Sequence, residues 1–529
     1  MTALDMLIVA AYLAAVVGWS ATLARQQASP DDYYVAGRRL PWWALGISTM
    51  ATQSSANSFI GIPAFVALVP GGGLTWLQYE LALPLALAVV MFVLVPVFRG
   101  LGLISIYEYL EARFDRRTRL LLSAVFLVSR ALASGVALYA AALVVQVCTG
   151  LPLGWSVLLM GGLTVVYDML GGMRAVVWTD VVQMAVLLAG LVGCLVFALQ
   201  IGGGVQAVLQ AVDPARLDAI DPRLGLGDGS RAPLWGFVVG GFVLYVAYYG
   251  IDQSQVQRQL SAVSVGEARR LLAFNALARF PLTFLYAALG LALAAVWVQS
   301  EALRAAVPAH RLDLLVPRFI ELHLPAGLRG LLVAAVLAAA MSSLDSALNS
   351  LSAATLRDFV SPHIDPARQM AAARGCTLLW GVVITAFGLY AGSLASTVVE
   401  AINLVGALFY GPLLAAFACG ILDPRATGPA VRTGVAAGLA VNVVLWIAFR
   451  QEVFWMWWNV SGLVVAVLTT AGLSRLRLAP LPDRAAPRAR RHTALAMRQL
   501  WREGRGTFAA LAAYSAFIFA LLAWLGVRG

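Results

Sequence analysis

Long apolar runs dominate this chain, and short polar or charged segments separate them. About fourteen of the runs are long enough to cross a bilayer as helices, since some 20 apolar residues span its hydrocarbon core. The pattern therefore predicts an all-α polytopic membrane protein. The runs occupy residues 3–24, 42–69, 73–98, 120–149, 152–171, 175–202, 233–253, 272–299, 326–357, 372–395, 396–422, 430–449, 454–473 and 508–527.

Two of these runs have centres that weaken a helix. The second run contains TQSSANS at residues 52–58, followed by Gly61 and Pro63, and the seventh is interrupted at Gly250 among tyrosines. Broken backbone at membrane depth is tolerated where it lines a cavity, because unwound segments offer carbonyls to cations and N–H groups to anions. We interpret both runs as broken helices at a transport site. A kinked packing helix is the alternative for the first.

The two interrupted runs lie five spans apart, as a five-plus-five inverted repeat requires. We therefore predict a transporter domain over residues 1–473, with the inverted-repeat core at about 42–422. The first span (3–24) and additional spans (430–473) flank that core. A basic cytoplasmic linker (474–507) and a C-terminal transmembrane helix (508–529) complete the predicted organisation.

The ninth run carries a polar face in its middle. Ser342, Asp345, Ser346 and Asn349 recur at i, i+3, i+4 and i+7, so a helix places them on one side. A carboxylate near the bilayer centre costs about 2.5–3.5 kcal/mol on insertion scales, so Asp345 requires a partner or a wet cavity. These side chains offer only oxygen, which suits hard cations rather than zinc or copper. The face predicts either a cation site or a polar contact between helices.

Composition supports the membrane assignment and limits the function. The chain has 529 residues, of which 61% are hydrophobic and 12% charged, with a mean hydropathy of +0.83. In this context the net charge of +11 does not indicate a nucleic-acid partner, and aromatic and basic residues do not alternate. The sequence shows no nucleophile–base pair, metal-ligand cluster or phosphate loop, so we expect a protein that is not an enzyme.

The arginines predict the orientation in the membrane. Most of them lie in alternate loops, at residues 25–39, 99–119, 254–270, 357–374, 423–432 and 474–507. Because positively charged loops stay in the cytoplasm, both termini are predicted to face outward from the cell (inner) membrane. The 474–507 segment is expected to meet the anionic headgroups of the lipid bilayer.

Several separated motifs, in the same order, resemble the sodium/solute symporter family, which includes sodium-coupled sugar, sialic acid, proline, pantothenate and monocarboxylate transporters. The resemblance implies an inverted-repeat transporter that imports a small solute together with a sodium ion by alternating access. The motifs are YYVAGRRLPWW (33–43), LISIYEYLEARF (103–114), GGMRAVVWTDVVQ (171–183), DQSQVQRQL (252–260), AAAMSSLDSALNS (338–350) and EAINLVGALFYGPLL (400–414).

The resemblance also implies which residues hold sodium. At the site common to the family, backbone carbonyls come from Ala51, Ser54 and Ala339, and hydroxyls come from Ser342 and Ser343.

Some members hold a second sodium, and the matching residues here are Ser342, Asp345, Ser346 and Asp180. Asp345 departs from the serine of those members. Two carboxylates around one monovalent ion imply that one is protonated or that another cation binds. A salt bridge to Arg174 is the alternative role for Asp180.

The substrate is expected beside the common sodium, between the two broken helices. The candidate residues are Gln53, Ser55, Ser58, Gln78, Glu80, Tyr248, Asp252 and Asn403. Glu80 aligns with a glutamate that contacts sugar in the sugar carriers. The glutamine that those carriers place at Ser58 is absent, which weakens the case for a hexose.

Arg130 is interpreted as the only arginine deep inside an apolar run, and such a residue requires a carboxylate partner. Its position resembles that of the arginine that holds the carboxylate of sialic acid. A structural pair with Glu80 or Asp180 is the alternative. These features favour a small organic anion or zwitterion as the substrate. A proton-coupled symporter using Asp345, and a membrane protein that senses a solute, are the competing functions.

Overall fold

A computed structural model describes residues 1–23, 30–223, 225–227, 233–365, 368–393, 398–476, 491, 494–495, 498–499 and 502–528. Within these ranges 11 helices are long and apolar enough to cross a membrane, so the protein is an all-helical membrane protein. The three other apolar runs contain shorter helices, Ala56–Leu68, Leu153–Val166 and Gly236–Ile251. By length and composition, the described residues therefore contain fewer membrane-spanning helices than the predicted number of about fourteen.

Most of the α-helices follow one another with short connections, but longer stretches such as residues 212–240 separate some of them. In chain order they are α1 (Ala3–Leu23), α2 (Pro30–Val35), α3 (Trp42–Gln53), α4 (Ala56–Leu68), α5 (Leu83–Val89), α6 (Val95–Gly100), α7 (Glu108–Arg113), α8 (Arg116–Thr149), α9 (Leu153–Ile201), α10 (Val205–Ala211), α11 (Gly241–Ile251), α12 (Gln253–Ser261), α13 (Val265–Gln299), α14 (Glu301–Ala306), α15 (Leu315–His323), α16 (Leu328–Thr355), α17 (Gln369–Gly388), α18 (Val398–Leu422), α19 (Gly428–Ala448), α20 (Met456–Arg475) and α21 (Arg505–Arg528). Tighter or wider turns adjoin several of them, including Leu74–Leu81, Val90–Leu94, Gly236–Gly240, Leu312–Leu314 and Leu356–Val360.

The second apolar run is broken where its sequence is most polar. Helix α3 ends at Gln53, Ser54 leaves the helical region at φ −89° and ψ 66°, and α4 begins at Ala56 after the extended Ser55. Short polar side chains compete with the helical hydrogen bonds of the backbone, which explains why the break falls here. The interruption predicted for this run is present.

The seventh run is also interrupted, two residues later than expected. Helix α11 ends at Ile251, and the extended Asp252 caps α12 by accepting a hydrogen bond from the N–H of Ser254 at 2.9 Å. Gly250 lies inside α11, and a Cβ there would lie 2.2 Å from Cδ1 of Leu94. That glycine therefore serves close packing, and the aspartate cap sets the break.

Helix α16 carries the serine-rich face and stays continuous through it. It packs against α9, α8 and α3, and its residues from Leu332 to Ala354 are buried. The hydroxyls of Ser342 and Ser343 donate to the carbonyl of Ala339 at 3.0 Å and 3.3 Å, within the preceding turn. Hydroxyls satisfied in this way allow a polar face to persist inside a buried helix.

We predict that Gly411→Ala will lower the midpoint of thermal unfolding in detergent. Helices α18 and α20 pack there so closely that a Cβ on Gly411 would lie 2.1 Å from the carbonyl oxygen of Asn459. Separating the helices should cost about 1–3 kcal/mol. The matched control is Gly472→Ala on α20, where a Cβ meets open space. Equal midpoints for the two variants would contradict the packing assigned to this contact.

Candidate functional site

Several of the residues assigned to the common sodium site come together where α3 ends against α16. The hydroxyl of Ser342 donates to the carbonyl oxygen of Ala51 at 3.2 Å and to that of Ala339 at 3.0 Å. The hydroxyl of Ser343 lies 3.3 Å from the same Ala339 oxygen. Ser54 follows directly after α3, and its N–H donates to the carbonyl of Ala51 at 3.1 Å. The break in α3 thus leaves backbone carbonyls beside a pair of serines.

The donor set of this cluster fits a hard monovalent cation. Carbonyl and hydroxyl oxygens supply all of it, and oxygen-only ligands without a carboxylate suit sodium better than a transition metal. Within the part of the chain that the structure describes, no group of three or more His, Cys, Asp or Glu side chains is arranged to hold a metal ion. The site is therefore chemically suited to the ion that the sequence predicted.

Two of the residues expected at a second cation site, Asp180 and Ser346, contact a guanidinium. Asp180 accepts hydrogen bonds from Nη2 of Arg258 at 3.0 Å and from the hydroxyl of Ser48 at 2.5 Å. The same Arg258 nitrogen contacts the hydroxyl of Ser346. Asp345 accepts the N–H of Ser346 at 2.6 Å and is fully buried. Arg258, to which the sequence analysis gave no role, balances one of the two carboxylates.

A cavity of about 110 Å³ lies beside the common sodium oxygens and is bordered by the break between α3 and α4. Six of the predicted substrate residues line it, and so does Ser343 of the sodium cluster. The six are Gln53, Ser55, Ser58, Arg130, Tyr248 and Asn403. The two broken helices thus contribute to one cavity.

Three of the predicted substrate residues do not line this cavity. Gln78 donates to the carbonyl of Thr75 at 3.0 Å and accepts the N–H of Asp221 at 3.0 Å, so its amide is used within a loop contact. Glu80 and Asp252 lie behind the wall, each next to an arginine that does reach the cavity.

Two arginines line the cavity, which corrects the prediction that Arg130 is the only one deep in an apolar run. Arg279 lies in α13, is 5% exposed, and donates from Nη1 to the hydroxyl of Ser54 at 3.0 Å. The sequence analysis gave Arg279 no role, because it lies near the start of the predicted 272–299 run, close to the loop at 254–270. Its position seven residues into the 272–299 run was the signal that it is buried.

The carboxylate partners of these arginines differ from the pairs considered from sequence. Arg130 Nη1 lies 3.5 Å from Asp252, whose Oδ2 also accepts the hydroxyl of Tyr410 at 2.9 Å. Arg279 Nε lies 3.6 Å from Glu80, which accepts the hydroxyl of Thr283 at 2.9 Å. Each cavity arginine is thus paired with a buried carboxylate that does not itself line the cavity.

Asn57 is a cavity residue that the sequence analysis missed. It lies in the first turn of α4, and both atoms of its amide are buried without a hydrogen-bond partner among the described residues. An unsatisfied buried amide is costly, so it is expected where a ligand completes it. The pattern TQSSANS pointed to this residue, but the sequence gave no reason to choose it over its polar neighbours.

Asp313 anchors the helix that forms another wall of the cavity. Its Oδ2 accepts the N–H of Val398, the first residue of α18, at 2.9 Å, and Val399 and Asn403 of α18 line the cavity. Burial raises the pKa of Asp313 to about 7, and the nearby Glu400 adds to this rise while the Val398 hydrogen bond opposes it.

Residues 33–438 match the profile of the Sodium:solute symporter family. The chain is 32% identical over 447 residues to the human sodium/iodide cotransporter, covering 82% of this chain and 68% of that protein. It is 30% identical over 469 residues to the sodium/sialic acid symporter NanT of Aliivibrio fischeri, covering 87% and 90%. The solved structure of a Na⁺-coupled sialic acid symporter in a substrate-bound outward-open state superposes with a TM-score of 0.80 at 26% identity, covering 91% of this chain and 99% of that one.

The helical architecture and the cavity between broken helices define a membrane transporter rather than an enzyme. The extent of these matches shows that the chain belongs to the sodium:solute symporter family, with sodium as its coupling ion.

We predict that Asp313→Asn will flatten the dependence of thermal stability on pH. The folded-state pKa of about 7 exceeds the ordinary aspartate value, so the folded protein binds this proton more tightly than the unfolded chain does. Stability should therefore fall as the pH rises from about 4 through about 7. Unfolding midpoints in detergent measure this slope, with the exposed Asp218→Asn as the control. An unchanged slope in Asp313→Asn would contradict the assignment.

Proposed function

We propose that the protein imports a small organic anion together with sodium by alternating access. The observation that carries this proposal is the charge of the cavity wall. Among the described residues that line the cavity, Arg130 and Arg279 are the ionisable groups charged at neutral pH, and no carboxylate joins them. A cationic wall favours an anion, whereas the ammonium of a zwitterion would find no acidic partner there.

A neutral sugar fits this cavity less well. Glu80, the expected sugar contact, is directed to Arg279, Thr283 and Tyr245 instead. The two relatives described above are named for anions, iodide and sialic acid, which agrees with the charge of the wall. We therefore assign substrate contacts to Gln53, Ser55, Ser58, Arg130, Tyr248 and Asn403, with Asn57 and Arg279 added.

Sodium would act by holding the end of α3 against α16. The ion would bind the carbonyls of Ala51, Ser54 and Ala339 and the hydroxyls of Ser342 and Ser343. Ser343 also lines the cavity, so the ion and the anion share a residue. Sodium and substrate then strengthen each other's binding by the same factor, as linkage requires. The membrane potential adds about 2.3 kcal/mol for each charge that crosses 100 mV.

The finer architecture remains part of this proposal. We assign fourteen spans, counting the three shorter helices, and a five-plus-five inverted repeat whose first helices are the broken pair α3–α4 and the broken pair α11–α12. Both termini would face outward. The domain limits at residues 473 and 507 belong to a linker that lies largely outside the described residues.

A second cation, or a proton, is proposed at Asp180, Ser342, Asp345 and Ser346. Arg258 offsets one carboxylate of this cluster, and the other is buried in the same continuous helix as the common sodium serines. Two buried carboxylates in one cluster favour the uptake of a cation or a proton.

Uptake into proteoliposomes under an imposed inward sodium gradient tests the proposal. A panel of labelled small carboxylates, amino acids and sugars should show accumulation of a carboxylate. Arg130→Gln should raise its half-saturating concentration about tenfold or more, because a buried charge-assisted contact is lost. Ser342→Ala combined with Ser343→Ala should abolish the sodium stimulation.

Arg223→Gln, at an exposed arginine that does not line the cavity, serves as the matched control. Uptake that is equal with and without the sodium gradient, or a neutral sugar as the transported solute, would contradict the proposal.

A further inference from the structure

Arg279 stands out because it contacts both the break in α3 and the cavity. Its Nη1 donates to the hydroxyl of Ser54 at 3.0 Å, and Ser54 is the residue directly after the end of α3. The N–H of Ser54 in turn donates to the carbonyl of Ala51, which faces Ser342. A permanent positive charge thus contacts the side chain of a residue whose carbonyl is assigned to sodium.

The guanidinium of Arg279 and a sodium ion bound at these oxygens would repel each other. Inside a protein the effective dielectric constant is far below that of water, so charges separated by several ångströms interact strongly. The guanidinium should weaken sodium binding by about tenfold, even after partial compensation by Glu80. That compensation is incomplete, since Nε of Arg279 and Oε1 of Glu80 are 3.6 Å apart, which is beyond hydrogen-bond distance.

The cavity lies where an anion would relieve this repulsion. Arg279 and Ser343 both line it, and Ser343 also belongs to the sodium cluster. A carboxylate in the cavity would therefore meet the guanidinium on one side and the sodium ion on the other. Its negative charge would lower the energy of both cations at once.

We propose that Arg279 couples sodium binding to substrate binding: it weakens sodium binding while the cavity is empty, and the substrate anion removes this penalty. This inference rests on the proposed function and adds the residue that enforces coupling. The sodium site is then less fully occupied when the cavity is empty than when it holds the anion. The fixed charge thereby suppresses movement of sodium without its solute.

The second cavity arginine provides a matched comparison. Arg130 lines the same cavity but is paired with Asp252 at the start of α12, so it does not touch the break in α3. Neutralising Arg130 should weaken the anion without changing the affinity for sodium alone. Neutralising Arg279 should increase the affinity for sodium in the absence of the anion.

Binding of radioactive sodium to the purified full-length protein in lipid nanodiscs tests this inference. Without any organic solute, Arg279→Gln should bind sodium about tenfold more tightly than the wild type, and Arg279→Lys should resemble the wild type. Glu80→Gln should bind sodium more weakly, since it removes the compensating charge. Arg130→Gln should leave sodium binding unchanged.

Adding the carboxylate identified by the uptake panel extends the test. The factor by which it tightens sodium binding should be largest in the wild type and close to one in Arg279→Gln. If Arg279→Gln fails to fold, the Glu80→Gln comparison alone decides the sign of the effect.

Equal sodium affinities in the wild type, Arg279→Gln and Glu80→Gln would overturn the coupling role. Equal effects of the two arginine variants would also overturn it. A wild-type protein that binds no sodium would instead refute the proposed function, so the two failures are distinguishable.

Discussion

The hydrogen bond between the hydroxyl of Ser342 and the carbonyl of Ala51 joins the end of α3 to the continuous helix α16. A helix that ends inside a membrane leaves carbonyls without partners in their own helix, and lipid supplies none. The N–H of Ser54 and the hydroxyl of Ser342 both donate to the carbonyl of Ala51, so α16 helps to stabilise the break after Gln53. We propose that a sodium ion binds these same oxygens, so that the contact that stabilises the break would also form the ion site.

Buried charges are arranged as arginine–carboxylate pairs around this junction. Arg130 pairs with Asp252, Arg279 with Glu80, and Arg258 with Asp180. Burying such pairs costs desolvation energy, and replacing them with apolar residues is often neutral or stabilising. The location of these pairs explains their presence better than stability does. Two of the pairs present guanidinium groups to the cavity. The third connects α12 and α9 and reaches α3 and α16 through the hydroxyls of Ser48 and Ser346.

The sequence predicted those features that depend on neighbouring residues, namely the break in α3 and the polar face of α16. The polar centre at residues 52–58 indicated the break in α3, and the spacing of Ser342 and Ser346 indicated one polar face. The pairing of charges was not predictable in the same way, because its partners are far apart in sequence: Asp252 lies 122 residues from Arg130. Glu80 and Asp252 were expected to contact substrate, but each pairs with an arginine. Arg279 was missed because an arginine near the start of an apolar run resembles a loop residue.

Backbone hydrogen exchange tests the central claim most directly. This claim is that one sodium ion bridges the end of α3 and the middle of α16. Mass spectrometry of the protein in nanodiscs should show that sodium, compared with equal ionic strength of a large organic cation, protects residues 50–58 and 338–346 together. The Ser342→Ala and Ser343→Ala double variant should lose both effects at once. Protection confined to one of the two segments, or absent from both, would contradict the bridge.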